Sequence, residues 1–247
     1  MAKFFPRSNK KSIEFDVFLS KLDALGADIF SKKNFNITLD LLQRLYENRT
    51  FMTEVANEFL TNMNSQLDNP YTGQVLVLAE GEHYMIRAPM WVPQGELVED
   101  NMYAYGLAHD HDFNLLSIGY LGLGYKTNVY QYDTTKIKGY DGEDVIISEK
   151  ESHHLNEGGT IFLKANSDIH VQYPPDDISL SLNILKTSNR TNKQYLFDID
   201  MKKISQQASN NILESITDMA DIFGDITTFK KLEELNKKVN VNNMVRT

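Results

Sequence analysis

Ala108-His109-Asp110-His111-Asp112-Phe113 decides the reading of this chain. Side chains two apart on a strand share a face. Through this stretch the odd positions read Tyr103, Tyr105, Leu107, His109, His111 and Phe113, and the even ones Ala104, Gly106, Ala108, Asp110 and Asp112. The alternation predicts a strand over 102–111 with a bulky inward face and a small or acidic face toward solvent. His109 and His111 then lie side by side on the buried face, where an unpartnered polar group costs roughly 1–3 kcal/mol. A metal ion shared with a third imidazole, His170, removes that penalty.

The texture around the pair is that of a β sandwich or barrel. From Gln74 to Asp200 the chain runs in short stretches rich in Val, Ile, Tyr and Thr, punctuated by Gly, Pro, Asn and Asp. Strands are predicted over 75–78, 83–88, 102–111, 115–120, 127–132, 144–148, 160–163, 170–173, 179–185 and 194–198. Residues 1–73 read as helical: Phe15, Phe18, Leu19, Leu22 and Leu25 form one stripe at three-to-four spacing, followed by Leu41, Leu42 and Leu45, then Val55, Phe59, Leu60 and Met63. Residues 201–247 read as a second helical region, through Ile204, Ala208, Ile212, Ile216 and Met219, and after Gly224 through Phe229, Leu232 and Leu235. The expected fold is mainly β with helical extensions: helices over 1–73, a β-barrel over 74–200 and helices over 201–247.

Composition narrows the chemistry. The absence of cysteine among 247 residues excludes disulfides, thiolate ligands and cysteine nucleophiles, leaving histidine and carboxylate. A net charge of -9 argues against nucleic acid as the main partner, because phosphate binding needs clustered Lys and Arg. Lys10-Lys11 and Lys230-Lys231 sit in helical patterns and read as solvated faces. No apolar run approaches the roughly 18 residues that span a bilayer, and the first residues lack the apolar core of a signal peptide; a cytoplasmic protein without a membrane partner is expected. Gly119, Gly122 and Gly124 precede a strand-like run, so they read as a hairpin turn, without the helix N-terminus a phosphate loop needs. His153-His154 reads as a surface loop.

These residues carry a resemblance. The central region is similar to the cupin superfamily of metal-binding jelly rolls, whose first motif places a glycine, His-x-His, a Glu and a second glycine in order. Here His109-Asp110-His111 supplies the imidazoles, Leu115 stands where the Glu falls, Gly122 is the trailing glycine and Tyr103 replaces the leading one. The second motif runs glycine, Pro-x-Gly, His, Asn; Gly159, Ala165, Ser167, His170 and Pro174 stand at those spacings. The histidine register fits and the turn residues do not. Among cupins, a site lacking the Glu resembles the thiol dioxygenases, and Ser181-Leu182-Asn183-Ile184-Leu185 partly echoes their Ser-Leu-His-Leu-Tyr strand, with Asn183 and Leu185 in place of the His and Tyr.

The resemblance implies a cupin-like double-stranded β-helix holding one divalent metal through His109, His111 and His170: Fe(II) first, with Zn, Mn or Ni as alternatives. Neutral imidazoles leave the ion its full charge and open positions, which suits binding a substrate beside dioxygen. The expected activity is oxidation of a small organic substrate, an amino acid among the candidates. Tyr103 and Tyr105 are the expected catalytic tyrosines, with Phe113 lining the cavity. Arg87, Gln131 and Asn183 are expected to bind substrate, Arg87 because its planar fork grips a carboxylate. The alternatives are a redox-neutral isomerase, cyclase or lyase and a non-catalytic small-molecule sensor. The helical extensions are expected to cover the barrel, to form a homodimer, or both.

Overall fold

The computed structural model describes residues 2–62, 74–94, 105–188 and 193–208. The described residues up to Gln207 belong to one compact unit. The helices expected after residue 208 lie outside the described residues.

Eleven strands and three α-helices are seen among the described residues: β1 (Lys3–Phe5), α1 (Phe15–Asp23), α2 (Phe35–Tyr46), α3 (Phe51–Thr61), β2 (Val75–Glu80), β3 (Tyr84–Trp91), β4 (Leu115–Leu121), β5 (Tyr125–Gln131), β6 (Glu151–Leu155), β7 (Thr160–Leu163), β8 (Asp168–Gln172), β9 (Ser179–Lys186), β10 (Gln194–Phe197) and β11 (Ile204–Ala208). They build a six-stranded sheet in the order β1-β7-β4-β9-β3-β2, a three-stranded sheet β6-β5-β8 and a two-stranded ribbon β10-β11. Every registered pair in the two larger sheets is antiparallel. The fold is mainly β, two antiparallel sheets facing each other in a jelly-roll arrangement.

Strand alternation assigns the layers. Along β3, β4 and β9 one set of residues, Ile86, Leu116, Ile118, Leu182 and Ile184, is fully buried beneath Phe18 and Leu22 of α1, Leu42 and Leu45 of α2 and Phe51 of α3. Each such side chain contributes about 1.5–3 kcal/mol when fully buried. The helices therefore cover the outer face of the large sheet, and β1 ties the start of the chain to β7. On the other face, Leu115, Ile161, Leu163 and Leu185 meet Tyr125, Val129 and Leu155 from the small sheet. A third cluster, including Tyr132, Ile169, Val171, Tyr195, Phe197 and Ile204, packs the ribbon against the far side of the small sheet.

Several elements depart from the sequence reading. Residues 105–111 are not a regular strand but touch their neighbours through isolated bridges, Tyr105 to Gln172 in parallel and His109 to both His170 and Leu196 in antiparallel. The chain turns between them at Gly106, whose φ of +73° suits a residue without a side chain. Simple alternation is lost there: Leu107 is exposed, while Asp110 and Asp112, assigned above to solvent, are buried. Residues 144–148 form only single bridges, Asp144 to Lys203 and Tyr132 to Ile147. His153 and His154 lie on strand β6, not in a loop. Ile204–Ala208, the first residues of the expected C-terminal helix, are strand β11. Among the described residues no helix is long and apolar enough to cross a membrane.

Candidate metal centre

His109 and His170 face each other as a doubly hydrogen-bonded backbone pair, His109 N–H to His170 O at 3.1 Å and His170 N–H to His109 O at 2.8 Å. Such a pair puts both side chains on one face. Flanking bonds hold the irregular segment in place. Phe197 N–H donates to Ala108 O (2.9 Å), Asp110 N–H to Tyr195 O (3.1 Å) and Asn166 N–H to His111 O (2.7 Å). The result is a converging trio: His170 Nε2 stands 3.0 Å from His109 Nε2 and 3.0 Å from His111 Nε2. Phe113 stacks on the His111 ring at 4.5 Å between centroids.

Protonation favours ligation. His109 Nδ1 lies 3.0 Å from Leu107 O. A carbonyl only accepts, so the neutral ring carries its proton on Nδ1 and its lone pair on Nε2. Metal-bound histidines commonly have their second nitrogen fixed in this way. Burial holds the His109 pKa below its ordinary value, against the Leu107 bond and with help from the Arg87 charge. Burial, then His109 and Arg87, hold His170 well below its ordinary value. Both rings are therefore neutral at physiological pH.

The donor set fits a divalent ion. With metal–nitrogen bonds of about 2.0–2.1 Å, nitrogens 3.0 Å apart subtend about 90–95° at the ion. His170 would therefore stand at roughly right angles to each of its two partners at the ion. Hydrogen bonding alone is a poorer match, because one proton on His170 Nε2 points at one neighbour while a cation serves both.

The acid between the ligands points the other way. Asp110 is fully buried; its Oδ2 accepts the Tyr132 hydroxyl at 2.5 Å and its Oδ1 accepts Tyr195 N–H at 2.6 Å. Burial pushes its pKa up to about 6, with Tyr132 and Tyr195 opposing. Burial and the adjacent carboxylate raise the Tyr132 phenol well above its usual value, which keeps it a donor. Asp110 thus anchors the histidine segment to β10 and to the residue after β5. Sequence reading missed this role, because an acid between two inward residues looks solvent-facing.

The other residues singled out in the sequence are placed as follows. Arg87 is half-buried on β3, in register with Asn183 of β9, and its charge reaches His109, His170 and Tyr125. Asn183 in turn pairs with Ser117 of β4. Its Oδ1 accepts the Ser117 hydroxyl at 2.6 Å and the Ser181 hydroxyl at 3.4 Å, while Trp91 Nε1 donates to Ser181 Oγ at 3.0 Å. Two acceptor contacts fix the amide so that its N–H groups point elsewhere. On the facing sheet Gln172 Nε2 approaches the buried Tyr125 hydroxyl at 3.4 Å. Ser117, Tyr125 and Gln172 were not picked out from the sequence, where isolated polar residues on strands carry no signal. The Tyr105 hydroxyl donates to Val92 O (3.0 Å) and accepts from Val92 N–H (3.1 Å). Gln131 donates to Asp168 Oδ1 at 2.8 Å, at the end of β5. Tyr103 lies outside the described residues.

No family model and no curated protein sequence matches the chain. Among solved structures it is similar to a DMSP lyase, at 14% identity over 49% of this chain and 50% of that one with a TM-score of 0.30. The chain thus spans half the length of that protein. It is also similar to a cupin domain from Bordetella pertussis Tohama I, at 12% identity over 46% of this chain and 92% of that one, TM-score 0.29. A third is the polyketide cyclase RemF from Streptomyces resistomycificus, at 12% identity over 51% and 73%, TM-score 0.29. At these levels the assignment rests on the chain's own sheets and histidines. On that ground the protein is a mainly β jelly roll with a three-histidine centre able to hold a divalent metal ion.

Proposed function

We propose that the protein is a non-haem Fe(II)-dependent oxygenase acting on a small organic substrate. The observation that carries the proposal is the convergence of three imidazole Nε2 atoms with no carboxylate among them. His109, His111 and His170 would hold the ion. A neutral ligand set leaves its double charge undiminished and several positions open, and bound iron would supply the redox chemistry that dioxygen requires.

The rest falls to the chain. Arg87, permanently charged and turned toward the histidines, binds an anionic group of the substrate, such as the carboxylate of an amino acid. Asn183, its carbonyl held by Ser117 and Ser181, offers amide N–H groups to a substrate oxygen. Trp91 and Tyr125, 4.2 Å apart between ring centroids, help to exclude water. Tyr105 orients the substrate once its hydroxyl leaves the Val92 backbone, and Tyr103 is assigned the same part. Gln131, held by Asp168, supports the rim.

The test is oxygen uptake by the anaerobically reconstituted protein, with a panel of amino acids and small carboxylates. Iron-dependent uptake that disappears in His170→Ala supports the reading. Silence toward every compound would refute it, and turnover by the zinc-loaded protein under argon would replace it with a redox-neutral lyase, isomerase or cyclase.

A further inference from the structure

A second concavity, about 440 Å³, opens on the small sheet and is lined by Lys126, Asn128, Ser152, His153, His154 and Tyr173. Odd-numbered residues of β5, Tyr125 and Val129, pack between the sheets, so Lys126 and Asn128 face away from the histidine trio. Cross-strand register places His154 beside Lys126 and Ser152 beside Asn128 on that same outward face.

The polar groups are arranged to donate. Asn128 Oδ1 accepts the Ser152 hydroxyl at 2.8 Å, and Asn128 Nδ2 donates to the Tyr173 hydroxyl at 2.8 Å. Because the Tyr173 oxygen is already an acceptor, its own proton is free to point into the space. Among the described residues neither Lys126 Nζ nor the His154 ring has a hydrogen-bond or ion-pair partner. No lining residue is a carboxylate. Nearby Glu151 is occupied by His153, with Oε2 3.5 Å from Nε2. On a chain of net charge -9, an acid-free hollow with a lysine and converging donors is complementary to negative charge. Its volume falls in the range of about 300–1,000 Å³ typical of small-molecule sites, too large for a bare anion. The Tyr173 and His154 rings and the Lys126 stem supply an apolar wall.

We propose that this hollow is a second binding site, separate from the metal centre, for a small organic anion: a carboxylate or phosphate on a planar apolar body. Lys126 and His154 face the charge, Tyr173 donates to it, and the rings cover the body.

Calorimetric titration of the full chain with phenyl phosphate, benzoate and phenol tests this. At least one of the two anions should bind, more tightly than phenol, and the tighter one names the head group. Lys126→Glu should weaken that binding roughly tenfold or more, and Tyr173→Phe should weaken it less. Neither substitution threatens the fold, since the Lys126 side chain makes no described hydrogen bond and Tyr173 is exposed. His109→Ala should leave it unchanged, so failure of the metal reading and failure of this one are distinguishable. No heat from either anion at millimolar concentration, equal binding of phenol, or an unaffected Lys126→Glu would overturn the proposal.

Discussion

Replacing Tyr132 by Phe deletes one oxygen and removes the donor to a buried carboxylate beside the metal ligands. The ring remains, so its packing on Phe197, 5.2 Å between centroids, is retained. What is lost is the hydrogen bond to Asp110 Oδ2 at 2.5 Å, in a side chain with no solvent access. Hydrogen bonds to charged groups contribute about 1.5–3 kcal/mol. The carboxylate has an escape that caps the damage. With its pKa already near 6, taking up a proton at pH 7 costs only about 1.4 kcal/mol. The expected loss is therefore about 1–1.5 kcal/mol, or a fall of roughly 2–6 °C in melting temperature for a domain of this size. Thermal unfolding followed by circular dichroism on the metal-free protein measures it. Tyr195→Phe is the control, because Tyr195 holds Asp110 through its backbone N–H and not its hydroxyl. A drop smaller than about 1 °C, or an equal drop in the control, would refute the role given to Asp110.

Three further outcomes are expected. His170→Ala, which removes the nitrogen 3.0 Å from both partners, should weaken metal binding beyond the roughly 10–100-fold loss seen for outer-shell partners, as read by competition with a chromophoric chelator. Glu143 accepts backbone N–H bonds from Lys138, Gly139 and Tyr140. Burial alone would raise its pKa, but these donors together hold it below the ordinary value. A depressed carboxylate stabilises the fold above its unfolded-state pKa and loses that contribution as pH falls through the folded one. Glu143→Gln should therefore flatten the acid limb of a stability-versus-pH curve while leaving its shape near neutrality. Gly124→Ala should cost more than the roughly 1–3 kcal/mol of backbone strain alone, since φ is +77° and the added carbon would sit 2.0 Å from Leu155 O; denaturant midpoints report it.

How much was legible follows from where local pattern and packing agree. The stripes Phe18-Leu22 and Leu41-Leu42-Leu45 give α1 and α2, because an amphipathic helix on a sheet buries one face at helical period. Most strands of the large sheet were legible for the corresponding reason, as in Leu182 and Ile184 alternating with Ser181 and Asn183. The three histidines stood out because residue type and order survive even where the strand does not. The segment holding two of them was misjudged in conformation: the turn at Gly106 and a pairing made of single bridges are tertiary facts, and Asp110 is inside only because Tyr132 and Tyr195 supply its donors. Ile204 and Ala208 are four apart and fit a helix, yet the segment ends in β11, since so short a run reads equally well at either period. Strand β6 was missed because Glu151-Ser-His-His lacks apolar residues, its outward face being the polar floor of the second hollow.

X-ray absorption at the metal edge of the freshly purified protein addresses the centre itself. Three imidazole nitrogens at about 2.0–2.1 Å around one ion per chain, lost together in His109→Ala, is the predicted result. A chain that binds no divalent metal, or one bound without histidine scattering, would contradict it.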